Sequence, residues 1–213
     1  MTNNTRIISK ATIYVITISL ISSINLLRTS TSVANPINEV VTATQTKQLR
    51  PTRLTAKEIS QVKRTLTGQK PILDQAFRVN LPDFGSCVFL PVQEFSQKTK
   101  KNRLTLYLVK NDKIVYTFPQ SQQVQSWNFS SLKAVSFLEL HFDDPNEDGI
   151  LLISNYTTGS SANSRLFPVV TLYNREEKGF TVYEDISKKL TTRRVKTIAE
   201  AEKILRNEFN FLP

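Results

Sequence analysis

Two β-rich runs flank Asn111-Asp112 in the stretch Leu104-Thr-Leu-Tyr-Leu-Val-Lys-Asn-Asp-Lys-Ile-Val-Tyr-Thr-Phe118. Leu104, Leu106 and Leu108 occupy alternate positions, as side chains on one face of a β-strand do. Asn and Asp tolerate the backbone conformations that a tight two-residue turn requires. The stretch therefore predicts an antiparallel hairpin.

Six other segments are β-rich or alternate between apolar and polar residues. They predict strands at residues 77–81, 87–90, 134–142, 150–156, 167–173 and 180–183. In the segment 134–142 the apolar residues change phase between Phe137 and Leu138. This change predicts either a β-bulge or a strand that is buried on both faces.

Two segments carry the signal for the beginning of a helix. Thr55-Ala-Lys-Glu58 forms a capping box, a pattern in which the Thr and Glu side chains each accept the other residue's backbone N–H. Thr197-Ile-Ala-Glu200 is a second box near the C-terminus, and both are followed by apolar residues at helical spacing. Residues 185–190 predict a further short helical stretch.

These elements together predict an α+β fold. Strands that follow one another at short intervals favour a mainly antiparallel β meander, in a propeller-blade-like or sandwich-like sheet. The N-terminal and the C-terminal helix each have one apolar face, so we expect both to pack on the sheet.

Residues 1–34 have the features of a secretory signal peptide. They contain no acidic residue, carry Arg6 and Lys10 ahead of an apolar run, and end in Ser32-Val33-Ala34, a small-x-small cleavage site. Residues 35–53 are polar and aperiodic, which predicts a disordered linker, and residues 54–213 predict a single domain. We therefore expect a periplasmic or secreted protein, in contact with a membrane only if the signal remains as an uncleaved anchor.

Cys87 is the only cysteine, so the chain can form no internal disulfide and must rely on its core for stability. Its position in a β-rich run favours a small buried residue over a reactive thiol.

The chain is basic, with a formal net charge of +10. Three of its 28 basic residues lie in the signal segment, which leaves 25 against 18 acidic residues, an excess of +7. The basic residues include two clusters: Lys98, Lys100, Lys101 and Arg103, and then Lys188, Lys189, Arg193, Arg194 and Lys196. Such charge favours an anionic partner, or serves only to keep the surface solvated. Nucleic acid is excluded as the expected partner, because no aromatic residues interleave the clusters and the protein is predicted to be exported.

An acidic segment, Asp144-Pro-Asn146-Glu-Asp148-Gly149, has oxygen-bearing side chains at alternate positions. This spacing is typical of calcium loops, in which Gly149 would take the sharp bend. We predict Asp144, Asn146 and Asp148 as candidate ligands of a weak Ca²⁺ site, with Asp143 or Glu147 as substitutes. The alternative is a polar turn that binds no ion, because a helical calcium loop would need Glu where the chain has Asn155.

The acidic segment and its flanks, Lys133-Ala-Val-Ser-Phe137 and Ile150-Leu-Leu-Ile-Ser154, resemble the strand, loop and strand of FG-GAP or VCBS repeats. In those relatives a further acid commonly lies three residues beyond the glycine, where this chain has Leu152. The resemblance therefore implies a calcium loop that lacks one ligand.

Residues 77–190 also resemble uncharacterised exported proteins of photosynthetic bacteria, which are similar to secreted immunity proteins against lysozyme-type effectors. The resemblance is carried by Leu81-Pro-Asp-Phe-Gly85, Ile114-Val-Tyr-Thr-Phe-Pro119, Trp127 and Phe167-Pro-Val-Val170. It implies that the chain inhibits a lysozyme-like cell-wall hydrolase.

No set of base, nucleophile and orienting group can be named from the residues. His141 is the only histidine, and it lies in a predicted strand. We therefore predict a monomeric, non-catalytic envelope protein that binds a protein or an anionic glycan. The alternatives are the hydrolase inhibitor and a glycosidase-like enzyme that uses the crowded carboxylates near residue 148.

Overall fold

Antiparallel strands form most of the protein in the computed structural model, which describes residues 51–66, 68–140, 147–159 and 164–212, apart from the side chain of Glu147. The strands are β1 (Thr52–Arg53), β2 (Lys70–Pro71), β3 (Phe77–Leu81), β4 (Gly85–Ser96), β5 (Lys101–Lys110), β6 (Lys113–Thr117), β7 (Asn128–Leu140), β8 (Glu147–Thr157), β9 (Phe167–Glu176) and β10 (Gly179–Val182). The helices are α1 (Ala56–Thr65), α2 (Glu184–Thr192) and α3 (Ile198–Phe209). The α+β prediction is confirmed, and the predicted signal segment lies outside the described residues.

The strands form two antiparallel sheets, and the sequence left both a propeller-blade-like and a sandwich-like arrangement open. The first sheet has the order β1-β3-β4-β5-β6, with β2 beside β4, and the second has the order β10-β9-β8-β7. Neighbouring strands mostly follow one another in the chain, as in the predicted meander. The predicted linker is too long at its C-terminal end, because Thr52 and Arg53 pair with β3 and complete an edge of the first sheet.

The predicted hairpin at residues 104–118 is confirmed as β5 and β6. Asn111 and Asp112 have φ values of 51° and 60°, and positive φ at both central residues is the requirement of a type I′ turn. Lys110 pairs with Lys113 across this turn. The local residue choice thus fixes the register of the outer hairpin.

One face of each sheet contributes to a shared hydrophobic core. The ring of Phe118, just after β6, lies with its centroid 4.7 Å from that of Phe180 in β10 and 5.4 Å from that of Tyr173 in β9. Phe89 of β4 lies 5.4 Å from Phe137 of β7 in an edge-to-face arrangement. Such pairs add specific geometry to the burial of apolar area, so aromatic rings join the two sheets.

The other face of the first sheet packs against α1. Val62 and Leu66, from α1 and its C-terminal end, belong to one buried cluster with Leu90 and Val92 of β4 and Val109 of β5. The predicted N-terminal helix therefore packs on a sheet, as expected from its apolar face.

The other face of the second sheet packs against α2 and α3. Leu190 of α2 and Leu205 of α3 share a buried cluster with strand residues such as Leu151 and Leu172. Phe137 points into the shared core and the next residue, Leu138, into this helix-side core. The predicted phase change in β7 thus reflects a strand buried on both faces.

Side chains cap both terminal helices. Thr55 and Glu58 form the complete predicted box, in which the Thr55 backbone N–H donates to Glu58 over 2.8 Å. Thr197 accepts from the backbone N–H of Glu200, but the Glu200 carboxylate accepts from the N–H of Lys196, one residue earlier than predicted. Among the described residues, no helix is long and apolar enough to cross a membrane.

We expect Phe118→Ala to lower the free energy of unfolding by about 3–5 kcal/mol, because the ring is buried among others from both sheets. Denaturant unfolding monitored by circular dichroism measures this change. Phe95→Ala is the control, because the Phe95 side chain is 54% exposed and its loss should cost less than about 0.5 kcal/mol. Equal losses in the two variants would contradict a core that joins the sheets at Phe118.

Candidate functional site

The predicted acidic turn is wrong at its C-terminal end, where the chain is already a strand. β8 begins at Glu147, and Asp148 lies opposite Glu139 of β7 in the antiparallel register. Pairing with β7 continues to this point, so Asp148 and Gly149 are held in extended backbone. Asp148 therefore belongs to the surface of a sheet.

Gly149 does not make the predicted bend. A Cβ atom at this position would lie 2.5 Å from Cδ1 of Leu140, which is fully buried on the helix side of the second sheet. The missing side chain leaves room for Leu140 against the β8 backbone, so Gly149 has a packing role.

Other predicted ligands fall outside the described residues. Asp144, Asn146 and the substitute Asp143 are among them, as are His141 and the side chain of Glu147. Their roles stay predictions. Within the described ranges, no group of three or more His, Cys, Asp or Glu residues is placed to hold a metal ion.

An arginine supplies the counter-ion of Asp148. Nε of Arg175 in β9 lies 3.1 Å from Oδ2 of Asp148, too far out of line for a hydrogen bond, so the contact is an ion pair. Nη1 of the same guanidinium donates to Oδ2 of Asp83, in the turn between β3 and β4, over 3.3 Å. Arg175 therefore links the carboxylates of two sheets.

Burial raises the pKa of Asp148 above its ordinary value. Arg175 acts in the opposite direction, and the neighbouring charge of Glu139 raises the pKa further. The net direction means that the folded protein disfavours the ionised carboxylate, despite the ion pair.

A basic recess lies beside the first residues of β9. We define it by Thr158, Arg165, Leu166, Phe167, Pro168, Arg194 and Lys196, which line a volume of about 410 Å³. Thr158 begins the β8–β9 connection, Arg165 and Leu166 end it, Phe167 and Pro168 belong to β9, and the last two lie between α2 and α3. Among the residues that the structure describes, the lining contains three cationic side chains and no acidic one.

Helix α2 fixes one wall of the recess by covering part of the β9 edge. The backbone N–H of Leu172 donates to Oγ of Ser187 over 2.9 Å, and that of Val170 donates to Oγ1 of Thr191 over 3.0 Å. β10 pairs only with residues 173–176 of β9, so these hydroxyls satisfy the edge that β10 leaves uncovered. The C-terminal end of α2 is thereby held beside the start of β9.

Arg194 occupies an unusual position at the end of α2. The N–H of Arg194 donates to the carbonyl of Thr191, and the N–H of Val195 to that of Leu190, which together form a Schellman motif. Arg194 has φ = 57°, in the left-handed region where glycine is usual. Val195 and Leu190 are both fully buried, so the motif is anchored in the helix-side core.

Four of the five residues in the predicted basic cluster at residues 188–196 divide into two groups. Arg193 pairs with Glu208, and Nζ of Lys189 lies 5.2 Å from the ring centroid of Phe209, so both contact α3. Arg194 and Lys196 line the recess. Arg165 completes the recess. Sequence patterns could not assign it to the basic cluster, because it lies in a different, Ser-rich connection.

Cys87 is buried, as predicted. Burial raises the pKa of its thiol to about 11, so little thiolate forms at neutral pH. The residue has a packing role in the shared core.

Comparison of the chain with models of known protein families, with curated proteins and with solved structures gave no match.

We expect Asp148→Asn to be more stable than wild type at pH 7 but not at pH 3. The pKa of Asp148 is higher in the folded protein than in the unfolded chain, so its carboxyl group lowers the free energy of unfolding once the pH exceeds the unfolded-state pKa. Asn does not ionise and carries no such cost. At pH 3 the carboxyl is mostly protonated in both states, so the two proteins should nearly coincide. The gain at pH 7 should be about 1.4 kcal/mol for each unit of pKa shift, measured by denaturant unfolding across this range.

Arg175→Gln provides the matched background for the same substitution. In Arg175→Gln the buried carboxylate of Asp148 has lost its counter-ion. The gain in the free energy of unfolding that Asp148→Asn gives at pH 7 should therefore be larger in this background than in the wild type. If Asp148→Asn instead becomes less stable than wild type as the pH rises, the attraction between Arg175 and the ionised Asp148 outweighs the cost of burying that carboxylate.

Proposed function

We propose that this chain is a non-catalytic exported envelope protein that binds an anionic glycan or protein partner through the basic recess. The observation that carries the proposal is the convergence of Arg165, Arg194 and Lys196 around one space whose described lining holds no acidic residue. No described residue forms an ion pair with any of the three. An anionic group in the recess would neutralise a charge that no described carboxylate compensates.

The predicted export narrows the class of partner. An exported protein meets acidic polysaccharides and other exported proteins, and rarely nucleic acid. The positive excess outside the signal segment adds long-range attraction to such anionic partners. These considerations support an envelope glycan or protein as the partner.

Several groups that could serve in catalysis already have structural partners. Glu94 accepts hydrogen bonds from Thr105 over 2.8 Å and from the hydroxyl of Tyr107. Asp148 pairs with Arg175, and the thiol of Cys87 is buried. These contacts favour binding over chemistry.

A carboxylate-based hydrolase is the second candidate. It is favoured by the cross-strand pair of Asp148 and Glu139, because a glycosidase needs one carboxyl group with a raised pKa beside a second carboxylate. Asp148→Asn and Glu139→Gln would then abolish hydrolysis of a susceptible glycan, whereas the binding proposal expects no hydrolysis by the wild type.

Two further expectations remain proposals. Inhibition of a lysozyme-like hydrolase rests on the resemblance described above and is tested by assaying such an enzyme with micromolar protein. Of the two predicted sheet arrangements, the sandwich-like one is favoured, because side chains from one face of each sheet share a core.

We expect the purified protein to be retained on an immobilised acidic polysaccharide at low salt and released as the salt concentration rises. Exposed charges are screened within about 8 Å at physiological ionic strength, so retention should fall steeply near 0.15 M. Removing two recess cations in the double variant Arg165→Gln, Lys196→Gln should weaken binding by at least about tenfold, because the loss of even one charge-assisted hydrogen bond has that effect. Binding constants from biolayer interferometry measure this.

The control double variant, Lys98→Gln with Arg103→Gln, removes the same charge from two exposed residues, one in the β4–β5 turn and one near the start of β5. It should bind within about twofold of wild type if the recess is the site. Equal losses in both double variants would reduce the recess to part of a general basic surface, and no retention at low salt would refute the proposal.

We also expect the melting midpoint to be the same in calcium and in chelator. Asp148 already has Arg175 as counter-ion, and a calcium ion would have to compete with this guanidinium. A calcium site occupied at 100 times its Kd would add ~2.7 kcal/mol and raise the midpoint by roughly 5–10 °C. Differential scanning fluorimetry detects such a rise, which would instead support the predicted site at Asp144, Asn146 and Asp148.

A further inference from the structure

The basic recess is larger than a single small anion requires. Its volume of about 410 Å³ is in the range of pockets that hold a small organic ligand. Leu166, Phe167 and Pro168 give it apolar lining, and Leu166 is 51% exposed although its side chain is large and apolar. The recess therefore offers apolar contact area beside its three charges.

The three cations provide two kinds of anion contact. Arg165 and Arg194 each carry a planar guanidinium, which can donate two parallel hydrogen bonds to a carboxylate, sulfate or phosphate group. Lys196 carries a compact ammonium charge, and the hydroxyl of Thr158 can donate to or accept from a ligand hydroxyl. Charged groups, a hydroxyl and apolar carbon together match the surface of an acidic sugar.

We propose that the basic recess is a saccharide subsite that binds one acidic sugar residue, and that Arg194 binds the charged group of that sugar. The proposal rests on the proposed function and deepens it by naming the ligand class. The shared chemistry of the ligand is a pyranose ring that carries a carboxylate, sulfate or phosphate group. Apolar side chains contact the ring carbons while the guanidinium binds the anionic oxygens.

The backbone of Arg194 is the second observation that supports this role. A left-handed conformation disfavours residues that have a Cβ atom, and glycine would close the Schellman motif without that strain. Other non-glycine residues with positive φ include Asn111, Asp112 and Asn210, and Asn and Asp tolerate this conformation. The helix end does not need a guanidinium, so its presence at a strained position beside the recess points to binding.

Lys100 is the informative comparison, because it also has a long side chain and a positive φ of 53°. Its Nζ donates to Oε1 of Gln97 over 3.1 Å, within the same turn. Arg194 forms no hydrogen bond through its guanidinium to another described residue, and it lines the recess instead. The strained arginine is therefore available to a ligand.

The test uses the full chain and the variant Arg194→Gly. Glycine relieves the strained backbone, so the variant should melt at the same temperature as wild type or higher. Isothermal titration with short galacturonate oligosaccharides should nevertheless show affinity reduced by about tenfold or more, because a charge-assisted hydrogen-bond pair is lost. A stable variant that binds less separates the ligand role from a folding role.

Two further variants control for charge and for backbone. Lys188→Gln removes a charge from an exposed residue of α2 that does not line the recess, and its affinity should stay within about twofold of wild type. Arg194→Asn keeps a residue that tolerates positive φ while removing the guanidinium, and it should lose affinity like Arg194→Gly. If either Arg194 variant binds as wild type does, the inference is overturned.

Titration with different ligands shows which anionic group the recess binds. At least one ligand from the set of galacturonate, sulfated and phosphorylated oligosaccharides should bind to wild type and bind less to the Arg194 variants. A neutral dextran oligosaccharide should not bind. Inorganic phosphate alone should bind more weakly than the best acidic saccharide, because it cannot contact the apolar lining.

Vesicles that contain one third anionic phospholipid test whether the recess binds a lipid headgroup instead of a sugar. Arg194-dependent binding to these vesicles without saccharide binding would overturn the inference in favour of a lipid headgroup. Binding to an acidic polysaccharide that is unaffected in Arg194→Gly would overturn the inference and leave the proposed function standing. No binding to any anionic polymer would refute both.

Discussion

Each of the two sheets buries apolar side chains on both of its faces, and much of the fold follows from this constraint. Leu138 and Phe137 are adjacent in β7 yet enter different cores, so a polar residue at either position would be buried without a partner. The shared core joins the sheets through aromatic rings, and α1, α2 and α3 cover what remains. The single thiol cannot add a covalent crosslink within the chain, so non-covalent contacts, apolar burial foremost, stabilise this arrangement.

The covering helices also determine where the recess forms. α2 satisfies part of an unpaired strand edge through Ser187 and Thr191, and this fixes the helix along β9 as well as over the sheet. The Schellman motif then turns the chain at a defined point beside Phe167 and Pro168. The wall of the recess that Arg194 occupies is therefore positioned by backbone hydrogen bonding, which suits a site that has to hold its charges in one arrangement.

The sequence predicted those features that depend on local chemistry. The hairpin around Asn111 and Asp112, the capping box at Thr55 and the burial of Cys87 each follow from residues within a few positions of one another. The extension of β8 to Asp148 could not be predicted, because pairing with β7 overrides the turn tendency of an acidic segment with glycine. The recess could not be predicted either, since Arg165 and Arg194 come together only through the packing of α2 on β9.

Charged side chains are concentrated around Arg175 and in the basic recess, and only those around Arg175 have partners of opposite charge among the described residues. Around Arg175 the guanidinium has two carboxylate partners, Asp83 and Asp148, so the local charge is compensated and a cation would have to displace an existing contact. In the recess the three cations repel one another, and one of them occupies a strained backbone position as well. Like charges held close together lower the stability of the folded state, and folding alone would favour glycine at residue 194. An arrangement that works against stability in two ways at one place is best explained by an anionic ligand that compensates it, which is why the recess, rather than the acidic segment, carries the functional proposal.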